Sequence, residues 1–260
     1  HDYARRNPSV GNPENGADLA KRIMRTGFRE PLTGRTVIPA EIVSPDMNWR
    51  EGLRANGLNS RMRAVLALIA EATASRSIYD TRIFSAEGLT PFALLMRGIF
   101  PQFLGSEYLP DAADRAAMFP IPHQDLMALD LPSSSFEFVS TNEVMEHIPD
   151  IDAALREIVR ILKPGGMHIG TFPFRFWAAG SQLQARLVDG RIQHLIEKPE
   201  YHGNPVDPER GSLVFETPGW DIIERAHLAG FSDAAMRFVA SEAHGYVTEN
   251  TGVFVFCARR

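Results

Sequence analysis

Cysteine is almost missing from this 260-residue chain: Cys257 stands alone, in the apolar run VFVFCA, so no intrachain disulfide can form. It reads as a buried structural thiol in a reducing, cytoplasmic setting. Long apolar runs are missing too. The stretch from Ala64 to Ala70 falls far short of the ~18 to 20 residues that cross a bilayer, which argues against a membrane span. The first residues, His1 to Pro13, are polar and carry no apolar signal core. A Lys/Arg-rich tract with interleaved aromatics is likewise absent. The formal net charge is -5 and the pI about 5.9, so nucleic acid is not the expected partner. Arg61 and Arg63 read as isolated helix charges.

What is present is an ordinary globular composition, 44% hydrophobic and 23% charged, long enough for one large domain or a domain with a cap. The charge is unevenly spread. Residues 1–63 hold 11 basic and 7 acidic side chains, whereas the remainder holds 16 and 25. Residues 1–58 are interrupted by Pro8, Pro13, Pro31, Gly34, Pro39 and Pro45, and read as an irregular cap with one helix near Asp18 to Thr26. Its arginines are expected to face carboxylates of the acidic body, or an anionic substrate, as the cap closes over a cleft. Residues 59–260 read as the main domain.

Within that domain, Met62, Val65, Leu66 and Ile69 recur at helical spacing after Asn59 and Ser60, which can cap. Ser77–Phe84, Phe103–Glu107, Phe136–Thr141 and Met167–Phe172 read as strands. Thr90 followed by Pro91 marks a helix start. In DIDAALREIVRILKPGG, Leu155, Ile158, Val159 and Leu162 fall on one helical face, and Pro164, Gly165 and Gly166 stop the helix. Alternation of this kind predicts an α/β fold on a mainly parallel sheet. The end of the chain departs from it. A helix from Pro218 to Ala229 is followed by two strands, Ala235–Val239 and Val253–Ala258, whose 13-residue link leaves no room for a packed helix and permits an antiparallel pair.

The run HQDLMALDLPSSSFEFVSTNEVMEHIPDIDAALREIVRILKPGG resembles class I S-adenosylmethionine-dependent methyltransferases, specifically the small-molecule, type 11-like group. The resemblance spans about Ile78 to Thr171. It implies a Rossmann-like, seven-stranded, mainly parallel sheet with a terminal antiparallel hairpin. In such open sheets the ligand lies outside the carboxyl ends of the strands. The resemblance also implies S-adenosylmethionine as cofactor, with Glu107 accepting from the ribose hydroxyls and Asp125 from the adenine amino group. Tyr108 adjoins the first of these, and Leu126 and Met127 flank the ring. Thr141 and Asn142 follow the fourth strand, where cofactor and substrate meet. The usual glycine-rich loop is altered. In YDTRIFSAEGLTPF, Asp80 keeps the leading acid, Arg82 and Phe84 stand at glycine positions, and Ser85, Ala86, Glu87 and Gly88 are left to frame the cofactor's amino-acid end.

Residues 173–217, after the fifth strand, form an insertion too long for a simple connection and are expected to cover the substrate. His202 is the candidate base there, and Tyr201 a candidate to orient the substrate. PEYHGNP implies a fixed turn. The run Glu143, Glu146, His147 is similar to one that holds a divalent cation in some quinone-pathway O-methyltransferases. Most relatives with Glu-His at this place carry none, so a helix-start carboxylate and a packing histidine are expected and no metal is assigned.

The function implied is methylation of a small molecule, chiefly at oxygen. The alternatives are a catalytically silent or repurposed protein of this fold acting as a partner subunit, and an NAD-dependent Rossmann enzyme. The second lacks G-x-G-x-x-G and conflicts with the terminal antiparallel pair. Nothing in the sequence fixes the assembly, and a homodimer is one of the states left open.

Overall fold

Three of the helix starts read from the sequence are helix starts in the computed structural model, which describes residues 2–31, 33–44, 49–204 and 206–260. Asn59 Oδ1 accepts from Met62 N at 2.8 Å, Thr90 Oγ1 from Ala93 N at 3.2 Å and Asp150 Oδ1 from Ala153 N at 2.9 Å. Each side chain satisfies an amide that the first helical turn leaves without a partner. The breaks expected at Pro45 and at Pro205, the last residue of PEYHGNP, lie outside the described residues. The chain divides into two compact units, residues 1–76 with 236–255 and residues 77–235 with 256–260.

The first unit is more regular than an irregular cap. Helix α1 (Pro13–Thr26) starts five residues earlier than expected because Asn12 accepts from Glu14 N and proline stands at the first helical position. Its Leu19, Ala20 and Ile23 pack with Phe28 and Val37 of a small antiparallel ribbon and with Ile42, Leu53, Ala55 and Val247. Helix α2 (Ser60–Thr73) belongs to this unit. Arg61 and Arg63 are not solvated helix charges: both are buried. The Arg63 guanidinium donates to the carbonyls of Leu53 (3.0 Å), Leu58 (2.8 Å) and Gly245 (2.9 Å), and lies over the Phe28 ring.

The second unit is built on β1 (Ile83–Ser85), α3 (Pro91–Ile99), β2 (Phe103–Gly105), β3 (Phe136–Asn142), α4 (Ile151–Ile161) and β4 (Leu162–Thr171). The insertion follows, with β5 (Gln182–Leu183), β6 (Ala185–Val188), β7 (Arg191–His194), β8 (Tyr201–His202), β9 (Ser212–Leu213) and β10 (Glu216–Thr217). Helix α5 (Asp221–Ala229) precedes β11 (Asp233–Val239) and β12 (Val253–Arg259), the two strands that span both units. The six-stranded sheet has the order β11-β12-β4-β3-β1-β2. Its β4-β3-β1-β2 portion is parallel, and β12 runs antiparallel to β4. Helix α4 presents Ile151, Ala154, Leu155, Ile158 and Ile161 as its buried face; of the expected stripe Leu155 and Ile158 lie on it, whereas Val159 is half-buried and Leu162 already begins β4.

Two expectations need correction. The first strand is not Ser77–Phe84. Thr81 Oγ1 donates to Ser77 O and Asp80 N also reaches that carbonyl, so residues 77–80 turn locally and the strand begins at Ile83. The seventh strand is reduced to a single parallel bridge between Glu107 and His123. Pro120 and Pro122 have no N–H to extend a ladder, and Asp125 closes a turn just beyond.

Candidate functional site

The carboxyl ends of β1, β2 and β3 gather five of the eleven expected cofactor residues, Ser85, Glu87, Gly88, Glu107 and Asn142. Ser85 ends β1, and the loop Ala86–Thr90 then lies down on β2. A Cβ on Gly105 would meet Glu87 O at 2.8 Å and Gly88 Cα at 3.0 Å, so glycine there permits the close approach. Glu107, two residues past β2, takes Gly88 N (2.9 Å) and Leu89 N (3.2 Å) on Oε1. Its Oε2 receives no hydrogen bond from the described residues. Burial pushes the Glu107 carboxyl above its usual range, and the two amides pull it partly back. Glu87 is buried and accepts from Asn142 Nδ2 at 2.6 Å, which ties the loop to the end of β3. Ser85 Oγ, Ser140 Oγ, Asn142 Oδ1 and Thr171 Oγ1 are buried there without a hydrogen-bond partner among the described residues. Unmet polar atoms of this kind at the strand ends suit a polar ligand.

Other expected residues are placed differently. Asp125 Oδ1 accepts from Met127 N at 2.8 Å, so that amide is already used, while Leu126 is buried. Tyr108 is exposed, its ring 5.6 Å from that of His123. Asp80 is exposed in the turn ahead of β1 and is not brought to the loop. The Thr141 hydroxyl lies 2.8 Å from Nε2 of the buried His168.

Beyond β3 the chain leaves the sheet at Glu143, held at φ 56°, an uncommon conformation for a residue with a Cβ. It enters a 3₁₀ turn, Met145–His147, on which the insertion docks. Phe215 N donates to Glu146 O at 2.8 Å, and His147 Nδ1 lies 2.8 Å from Leu213 O. Ala185, Leu213 and Phe215 form the small core beneath. The β8–β9 pairing sets His202 opposite Ser212. Gly211, at φ 70°, makes its turn possible, because a Cβ there would strike His202 O at 2.5 Å.

His202 is thereby carried to the E-H run. Its Nδ1 lies 3.3 Å from Glu146 Oε1, its Nε2 lies 2.9 Å from Glu200 Oε1, and its ring meets that of His147 edge to face at 4.9 Å. Glu146 has no exposed surface. Tyr201, next in the chain, points outward and is exposed. The sequence reading separated the loop base from the Glu-His run and gave Glu200 no role. The i, i+2 spacing of Glu200 and His202 was the available signal, but the contact with Glu146 spans 56 residues and had none.

Residues 94–170 match the profile of the family described as "Methyltransferase domain". Among curated relatives, a sterol 24-C-methyltransferase of Aspergillus fumigatus is 30% identical over 110 residues, covering 42% of this chain and 28% of the relative. The 27-O-demethylrifamycin SV methyltransferase of Amycolatopsis mediterranei is 28% identical over 123 residues, 44% of each chain. The chain thus spans less than half the length of these relatives. A probable S-adenosylmethionine-dependent methyltransferase of Mycolicibacterium smegmatis is 23% identical over 238 residues, 90% of this chain and 84% of that one.

Proposed function

Because residues 94–170 match the methyltransferase-domain profile, we propose that this protein is a class I S-adenosylmethionine-dependent methyltransferase that moves a methyl group to an oxygen of a small molecule. The observation that carries the reading is Glu107, set past the carboxyl end of β2 with Oε1 filled by loop amides and Oε2 left for the two ribose hydroxyls. Asp125 would take the adenine amino group on the oxygen that Met127 does not use, beside Leu126. Ser85, Glu87, Gly88 and Asn142 would frame the amino-acid end. The printed name of the Mycolicibacterium relative supports the cofactor, and that of the rifamycin relative supports an oxygen acceptor.

The cofactor, when bound, supplies an electrophilic methyl on a sulfonium sulfur. The protein's own work is to orient the acceptor and remove its proton as the new bond forms. His202, between the carboxylates of Glu146 and Glu200, would remove that proton, and a base of this kind favours an acceptor that carries a proton, such as a hydroxyl. Tyr201, exposed on the same ribbon, would orient the acceptor. A silent partner subunit is the weaker reading, since it gives Glu107 and the buried polar atoms at the strand ends no task.

Calorimetry with S-adenosylhomocysteine tests the proposal. The wild type should bind, and Glu107→Ala should bind at least about tenfold more weakly, ~1.4 kcal/mol for the lost carboxylate hydrogen bonds. Absence of binding by the wild type at millimolar ligand would sink it. A fall in turnover of roughly 10²-fold or more in His202→Ala, with cofactor affinity kept, would support the base.

A further inference from the structure

The 3₁₀ turn after β3 and the β8–β9 ribbon bring three ligand-type atoms to one point. Glu146, His147 and His202 each offer one, all within 4.8 Å of one another. The Glu146 side chain has no exposed surface, and neither of its oxygens receives a hydrogen bond from a described residue. A buried carboxylate in that state is unfavourable unless positive charge shares the site. The two histidines are oriented from behind. His147 Nδ1 lies 2.8 Å from the carbonyl of Leu213, and His202 Nε2 lies 2.9 Å from the carboxylate of Glu200. Both partners only accept, so those nitrogens donate to them, and the opposite nitrogens, His147 Nε2 and His202 Nδ1, are the ones turned toward Glu146. A backbone carbonyl or a carboxylate behind the ring is how metal-bound histidines are held.

The spacing agrees. Two ligands of a tetrahedral ion with bonds of about 2.1 Å stand about 3.4 Å apart. Glu146 Oε1 is 3.3 Å from His202 Nδ1 and 3.6 Å from His147 Nε2. Two imidazoles with one carboxylate suit zinc and similar divalent transition ions better than magnesium. We propose that Glu146 Oε1, His147 Nε2 and His202 Nδ1 form a binding site for a divalent cation of the zinc class, with Glu200 and the Leu213 carbonyl orienting its histidines. Glu143 is not part of this set, so the site differs from the E-x-x-E-H run and needs the insertion to complete it. The inference goes beyond methyl transfer and does not depend on it, but a metal-bound His202 keeps no lone pair for the acceptor's proton, so one bound Zn²⁺ would remove His202 from the role of base.

The test uses the whole chain stripped with a chelator and titrated with ZnCl₂ by calorimetry near neutral pH, with MgCl₂ in parallel and CoCl₂ followed by visible absorption. One Zn²⁺ per chain, Co²⁺ bands of a low-coordinate nitrogen and oxygen site, and no heat from Mg²⁺ are expected. Glu146→Gln and His202→Gln should abolish the 1:1 binding, and Glu200→Gln should weaken it about 10- to 100-fold. Circular dichroism checks that each variant is folded. If buried Glu146→Gln fails to fold, His202→Gln and Glu200→Gln decide, because they lie on a short ribbon at the surface. No binding to the wild type at about 100 µM Zn²⁺, or equal affinity in wild type and His202→Gln, overturns the proposal.

Discussion

His168 stands inside β4 without exposed surface, its Nε2 2.8 Å from the Thr141 hydroxyl and its ring against Phe231 and Phe256. Burial drives its pKa from 6.5 down to about 3, so it is neutral in the folded protein. The unfolded chain binds a proton there first. This contribution to stability is therefore complete above about pH 6.5 and is lost as pH falls toward 3, at about 1.4 kcal/mol per unit. Subtracting urea unfolding free energies of His168→Phe from those of the wild type between pH 7 and 4.5 should reveal that slope. A flat difference would show that the site stays protonated or wet. The same residue engages the Thr141 hydroxyl. A threonine at a strand end was legible as a candidate ligand, but the inward histidine one strand away claims its hydroxyl.

At the scale of elements, the caps and apolar stripes of α2, α3 and α4 were legible because they are set within a few residues of each other. The loop after β1 was legible in composition only. Its shape depends on Gly105, 17 residues past Gly88 and on another strand. Gly105→Ala is expected to push Glu87 and Gly88 off β2, since its Cβ would meet Glu87 O at 2.8 Å. The Gly88 and Leu89 amides would then leave Glu107. S-adenosylhomocysteine affinity should fall at least about tenfold, and thermal stability by roughly 1 to 3 kcal/mol for the steric overlap. Calorimetry and a melting curve on one preparation separate the two effects, and unchanged affinity would detach this loop from cofactor binding. The insertion was recognised by its length. Its three antiparallel ribbons, β5 with β10, β6 with β7 and β8 with β9, were not read, because strands of two to four residues are too short to show a period.

Across the whole molecule, the two ends of the chain share one unit. Arg63 joins the carbonyls of Leu53 and Leu58 to that of Gly245, and Val247 packs into the core that α1 covers. Burial holds the Arg63 guanidinium down to about 10, still charged at neutral pH. Arg63→Met would leave those three carbonyls without their donor and is expected to cost roughly 3 kcal/mol or more, read from urea unfolding. A loss below 1 kcal/mol would mean water replaces the guanidinium. For the same reason deletion of residues 1–50 removes a core and not a detachable flap, so point substitutions are the cleaner probe of the front segment. Two arginines of that segment meet acids within the same unit, Arg22 with Glu242 and Arg35 with Glu41. Among the described residues no helix is long and apolar enough to cross a membrane. By itself the sequence determined what short-range chemistry dictates: the alternation of strands and helices, the capped helix starts, the parallel sheet with an antiparallel strand at its end, and the acid that follows β2. Only the tertiary structure decided which side chains meet across long stretches of chain, and hence that Thr141 meets His168, that Arg63 is buried, and that His202 joins Glu146 and His147. Burial and convergence are properties of packed surfaces, and no local pattern of residues encodes them.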